Sequence, residues 1–227
     1  MKSFVITLKD SEKSNYGADN LIKSAPFPVE KYNAITPNQV DKIMAEHPFT
    51  WTWPWTKERL DINSGLKLHP YLTAEPKKRI ACFLSHYFLW NKCVNLNKPM
   101  FIFEHDAIFI KKTLPLDNFL KSKYYIIGIN HPFQATRRAS VFDQMIQSNT
   151  EEFQRPPQID DLTVPQGIAG NSAYFIKPKG AKKMLELTDQ HGCWPNDALM
   201  CRQLIPLLGV SKTYYTKTQR LGSTTTL

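Results

Sequence analysis

The sequence predicts an α/β fold: one sheet covered by helices on both faces. Three observations carry that prediction. Short runs that are apolar at nearly every position suit strands buried on both sides, as at Phe4–Leu8, 99–103, 124–129 and 173–176. Stretches of three-and-four apolar periodicity lie between them. The chain has 227 residues, 42% hydrophobic and 12% aromatic, which is enough for one domain with a full core and excludes a disordered chain.

Each element follows from local chemistry. Phe4-Val5-Ile6-Thr7-Leu8 reads as a buried first strand, and the polar stretch Lys9–Ser14 as a loop or helix start. Thr36-Pro37-Asn38-Gln39 opens a helix, with Thr36 as cap, Pro37 at the first position and Gln39 closing a capping box. Val40, Ile43 and Met44 form its apolar face, and His47-Pro48 ends it. Residues 48–76 read as an irregular insertion rich in proline and carrying Trp51, Trp53 and Trp55. From Lys77 to Asn97 the pattern is helical, with Ile80, Phe83, Leu84, Tyr87, Phe88 and Asn91 on one side. Met100-Phe101-Ile102-Phe103 is a central strand that ends in Glu104-His105-Asp106, and Tyr124–Ile129 is a second. Residues 132–171 are polar, with weak periodicity only near Val141–Ile146. Ala173–Ile176 is a third central strand. Pro178 opens a helix, and Asn196 caps another.

Composition narrows the function classes. No run of about 18 apolar residues exists, so no membrane-spanning segment is expected. The first ten residues lack the pattern of a secretory signal, and a cytoplasmic location is expected. The cysteines Cys82, Cys93, Cys193 and Cys201 lack zinc-pair spacing and read as core thiols. The net charge is +9, from 22 Lys and 7 Arg spread along the chain. A duplex reader concentrates arginine for bidentate base contacts, so no nucleic-acid partner is expected. Solvated helix faces account for most of the lysines, with an anionic ligand or membrane surface as the other reading.

The sharpest chemical feature is Glu104-His105-Asp106 directly after a buried strand. In open α/β sheets ligands sit beyond the carboxyl ends of the strands. Two carboxylates there suit a hard divalent cation, Mn²⁺ or Mg²⁺. If the strand continued, alternation would set Glu104 and Asp106 on one face and turn His105 away. The competing reading is an acidic strand end paired with lysines.

Arg79-Ile80-Ala81-Cys82-Phe83-Leu84-Ser85-His86, then Glu104-His105-Asp106, then Gly170-Asn171-Ser172 running into Tyr174 and on to Gly180-Ala181, and last Pro195-Asn196-Asp197 form an ordered set. With the first strand, the set resembles glycosyltransferase family 25, which holds lipooligosaccharide galactosyl- and glucosyltransferases and collagen galactosyltransferase domains. Two positions depart from the family pattern: His105 replaces the middle acid, and Thr7-Leu8 stands for Asn-Leu. The tryptophan segment matches nothing in that pattern.

The resemblance implies a GT-A-like fold, a Rossmann-type mixed sheet with helices on both faces, in a single domain over residues 1–227. It implies an inverting hexosyltransferase that moves galactose or glucose from a UDP-sugar to a saccharide or glycolipid acceptor, in the cytoplasm or at the inner face of a membrane. Glu104 and Asp106 would hold Mn²⁺ or Mg²⁺ on the diphosphate, and Asp197 would be the base that deprotonates the acceptor. For Asp197 the other readings are a metal or donor contact, or favourable charge at a helix start. Lys9, Lys13, Ser85, His86, Glu104, Gly170 and Asn171 would contact the donor. Solvated lysines, a satisfied core histidine and a plain turn are the bland readings of these positions. The tryptophans either stack on an acceptor sugar or pack the core, and Arg137-Arg138 either clamp an acceptor phosphate or sit on the surface. Two alternatives remain open: a sugar-nucleotide or glycan-binding module of the same fold without catalysis, and a basic nucleic-acid-binding protein.

Overall fold

The structure is a computed structural model that describes residues 1–221. β1 (Lys2–Thr7) leads through the capped helix α1 (Glu12–Ser24) to β2 (Glu30–Asn33) and α2 (Pro37–Glu46). At α1 the Ser11 side chain accepts from the Ser14 amide. At α2 the Gln39 Oε1 accepts from the Thr36 amide at 2.9 Å, so the capping chemistry read from Thr36–Gln39 is present. The short hairpin β3 (Arg59–Asp61) and β4 (Leu66–Leu68) precedes the long helix α3 (Pro76–Leu96). Pro76 starts α3 and Asn97, at φ 46°, ends it in the left-handed conformation. Then come β5 (Met100–Glu104), β6 (Ala107–Phe109), α4 (Leu116–Lys121), β7 (Ile126–Gly128), α5 (Ala139–Ser148) and β8 (Phe153–Gln154). β9 (Ala173–Ile176), α6 (Pro178–His191), α7 (Asn196–Leu199), β10 (Leu208–Ser211) and β11 (Thr216–Thr218) complete the chain.

The main sheet has seven strands in the order β2-β1-β5-β9-β7-β10-β8. β1 pairs in parallel with β2 and β5, and β10 with β7. β9 runs antiparallel between β5 and β7, so the sheet is mixed. Side chains alternate between two apolar layers, as strand geometry requires. Ile6, Ile102, Ile126 and Tyr174 face the layer that α3 and α6 cover. Val5, Phe101, Phe103, Ile127 and Phe175 face the layer that α1 and α4 cover. This is the mixed α/β sheet with helices on both faces that the sequence implied.

Several elements differ from the sequence expectations. The insertion at 48–76 is not wholly irregular: it holds the β3–β4 hairpin, whose Leu66 and Leu68 enter the core. Trp53 is buried and packs edge-on against Trp194 at 5.5 Å, while Trp51 and Trp55 stack at 5.1 Å. Core packing is therefore the main role of these rings. Residues 132–171 contain α5 and β8, and β2, β6, α4, β10 and β11 are further elements that no long apolar run announces. Asn196 is not a cap; Pro195 takes that place and Asn196 is the first helical residue.

Candidate active site

The strand order reverses between β1, which continues to β2 on one side, and β5, which pairs on the other. Ligands of open α/β sheets bind at such a switch point, beyond the carboxyl ends of the strands. Glu104 is the last residue of β5, opposite Ile6 of β1. Its amide donates to the Ser172 carbonyl at 2.9 Å, so the segment before β9 ends at the same edge.

By alternation Glu104 points to the face where Ile102 lies, toward α3. His86 on α3 meets it there, with Nε2 3.1 Å from Glu104 Oε1. His86 Nδ1 lies 2.8 Å from the Tyr174 hydroxyl, which also accepts from Trp90 Nε1 at 3.0 Å. Trp90 Nε1 donates to the Tyr174 hydroxyl, His86 Nδ1 shares a hydrogen bond with that hydroxyl, and His86 Nε2 shares one with the Glu104 carboxylate. Each group in the chain Trp90–Tyr174–His86–Glu104 is thereby satisfied, and the carboxylate is held by a buried imidazole. Tyr174→Phe leaves Trp90 Nε1 and His86 Nδ1 buried without partners. The expected loss of folding stability is about 3 kcal/mol, read as a lower denaturant midpoint with unchanged slope; a loss below about 0.5 kcal/mol would show that the network carries no such weight.

β5 stops at Glu104, and His105 and Asp106 form a turn. The alternation expected for Glu104 and Asp106 therefore does not apply, because the strand does not continue. The turn itself brings the two acids within electrostatic reach of each other. Burial, and then the charge of Glu104, push the Asp106 carboxyl up to about 7. Burial also acts to raise Glu104, but the His86 hydrogen bond and nearby positive charge, Arg79 included, outweigh it and hold Glu104 below its usual range. Asp106 Oδ1 is buried and has no hydrogen-bond partner among the described residues. Burial pushes the His105 imidazole down, and nearby Lys13 acts in the same direction.

A half-buried pair of hard oxygen donors, one oxygen orphaned, fits a divalent cation. Cys82, His86 and Glu104 also offer donor atoms within 4.8 Å of one another. That trio fits a cation less well. Both imidazole nitrogens of His86 are already engaged, and burial pushes the Cys82 thiol well above its ordinary value.

Beside this edge lies a cavity of about 610 Å³, with Trp53, Tyr71, Gln166, Gly170 and Asp197 in its wall. Glu104 and Asp106 are not in that wall. The link is Asp197, exposed in the cavity yet surrounded by protein mass. Burial raises its carboxyl, Arg79 opposes the rise, and the charge of Glu104 adds to it. Arg79 in turn stacks over the Tyr71 ring at 4.2 Å. A second cavity of about 420 Å³ has His131, Lys217 and Arg220 in its wall and no acidic residue.

The other expected site residues are placed as follows. Asn171 is buried, and neither its Nδ2 nor its Oδ1 has a partner. Gly170 takes φ +68°, and a Cβ there would lie 2.8 Å from the Ala135 carbonyl, so its glycine serves the turn. Lys9 and Lys13 are exposed. His86 is fully buried behind Glu104, so of its expected roles the structure fits contact with a site carboxylate from behind, or a satisfied core histidine, better than direct contact with a donor. Ser85 does not face the cleft either: it donates to the Ala81 carbonyl and accepts from the Ile35 amide, joining α3 to the loop after β2. Arg137 and Arg138 both pair with Asp160. Tyr71, Arg79 and Tyr174 belong to the site without having been singled out. For Arg79 and Tyr174 the only sequence signal was membership of the motif segments.

Residues 1–200 match the family model described as glycosyltransferase family 25 (LPS biosynthesis protein). No curated protein matches the chain. Among solved structures, the chain is similar to the galactosyltransferase LgtC in complex with donor and acceptor sugar analogues, at 8% identity and a TM-score of 0.44 over 92% of this chain and 73% of that one. It is also similar to an active-site mutant of LgtC, at 8% identity and a TM-score of 0.44 over 92% of this chain and 72% of that one.

Proposed function

We propose, for a chain that belongs to glycosyltransferase family 25, that this glycosyltransferase moves a hexose, galactose or glucose, from a UDP-sugar to a saccharide or glycolipid acceptor with inversion. The observation that carries the reading is the acidic turn at the switch point, where two close carboxyls, one with an orphaned buried oxygen, await a positive charge.

Glu104 and Asp106 would hold Mn²⁺ or Mg²⁺, which when bound neutralises charge on the departing diphosphate. His86 fixes the Glu104 carboxylate through its Nε2, so that contact need not be organised during the reaction. Lys217 and Arg220 in the wall of the second cavity supply positive lining for the diphosphate. The acceptor occupies the larger cavity, where Tyr71 offers apolar ring surface to a sugar and the buried Trp53 backs the wall. Asp197 in the same wall takes the proton of the acceptor hydroxyl. The acceptor oxygen bonds to the anomeric carbon as its bond to phosphate breaks, with the electron pair leaving on UDP.

The test is release of UDP from UDP-galactose and UDP-glucose over a panel of saccharide acceptors, followed by mass spectrometry of the products. Turnover is expected with Mn²⁺, is expected to stop with EDTA, and returns when Mn²⁺ is restored. No binding of UDP and no product with either donor would overturn the reading.

A further inference from the structure

We propose that Gln219 is a positioning residue that clamps the acidic turn, an inference that rests on reading Glu104 and Asp106 as the cation ligands. β11 runs antiparallel to β6, with Thr218 opposite Ala107. Directly beyond it, the Gln219 backbone N–H donates to the Asp106 carbonyl at 2.7 Å. Its side-chain Nε2 donates to the Ala107 carbonyl at 2.7 Å and to the His105 carbonyl at 3.1 Å. The successive carbonyls of residues 105, 106 and 107 thus all end on Gln219.

The same Nε2 reaches the Gly17 carbonyl of α1 at 2.9 Å, so its two hydrogens are shared among three oxygens. Asn20 Nδ2 donates to Gln219 Oε1 at 3.1 Å and fixes which way the amide faces. Flipped, the amide would aim oxygen at three carbonyls and N–H at N–H. α1 comes so close to the turn that a Cβ on Gly17 would lie 2.3 Å from the His105 carbonyl oxygen. Side chains hold the turn only in part: Asp106 meets the Ser172 side chain, while Asp106 Oδ1 and His105 Nε2 have no partner among the described residues. Gln219 lies beyond residues 1–200 that match the family, so the grip comes from outside the matched segment.

The test uses the full chain with Gln219→Met, which keeps side-chain length and removes the amide, and Asn20→Ala, which removes only the bond that orients it. Hydrogen exchange is read at the amides of residues 105–107, and Mn²⁺ affinity by calorimetry without donor. Gln219→Met is expected to speed exchange there and to weaken Mn²⁺ binding by about 10-fold, the usual effect of losing a group behind a metal ligand. Asn20→Ala is expected to act in the same direction, more weakly, and carries the test if Gln219→Met does not fold. Wild-type exchange at these amides would overturn the proposal, as would faster exchange with unchanged Mn²⁺ affinity. If the wild-type chain takes up no Mn²⁺, the cation reading fails, and the clamp stands or falls on exchange alone.

Discussion

Asp106→Asn is expected to lower hexosyl transfer by about three powers of ten, or roughly 4 kcal/mol of transition-state stabilisation, and to abolish Mn²⁺-dependent UDP binding. The size follows from the charge involved. A diphosphate leaving group develops negative charge in a site where Glu104 is already ionised, so transfer depends on the cation that Asp106 helps to hold. The fold is expected to survive. Asp106 Oδ1 makes no hydrogen bond that asparagine would break, and the substitution removes a carboxyl that burial and Glu104 both disfavour. The thermal midpoint at neutral pH should equal or exceed that of the wild type. The decisive measurements are initial rates with saturating donor, UDP calorimetry with Mn²⁺, and a thermal melt. Turnover within about threefold of wild type (well under 1 kcal/mol) in a folded variant would remove the cation from the mechanism.

Asp197→Asn is expected to lower kcat by about 10²–10⁴, the usual range for loss of a general base, with Mn²⁺ and UDP binding retained. Asp197 lies in the wall of the larger cavity and Glu104 and Asp106 do not, so on the proposed reading binding of donor and removal of the acceptor proton are separable. Asparagine keeps the shape but cannot take the proton. The raised carboxyl makes Asp197 a better base than an ordinary exposed aspartate, while Arg79 keeps it from rising further. The split between constants decides the assignment. A loss of UDP affinity with little change in kcat would move Asp197 to the donor, and an unchanged kcat would leave it as a charge at the start of α7.

The local features of the chain were legible because local physics sets them. The capping chemistry at Thr36–Gln39, the helix from Pro76 and the strands at Met100–Glu104 and Ala173–Ile176 all follow from side-chain type and spacing within one element. The short strands β2, β6, β8 and β11 were not legible. β2, β8 and β11 carry few apolar residues, and β6 is apolar but only three residues long; all four form because a neighbour offers a ladder, which propensity does not encode.

The same division runs through the site. Glu104-His105-Asp106 could be read as acidic chemistry at a strand end, because three neighbouring residues and an apolar run announce it. Its geometry could not, since the strand was free to continue and instead turns. Ser85 and His86 sit side by side in one motif, yet Ser85 ties α3 to a loop while His86 grips Glu104, a difference set by which way α3 faces the sheet. Gln219 has no signature at all: its partner Ala107 lies 112 residues away. The sequence alone determined the α/β class, the central strands, and which acids and motif segments gather at their tips, because periodicity and residue chemistry are properties of short stretches. Only the tertiary structure decided that Asp106 turns beside Glu104, that Tyr174 and Trp90 stand behind His86, and that Asp197 lines the larger cavity. Those are contacts between distant segments, and they exist only where packing of the whole sheet and its helices brings the segments together.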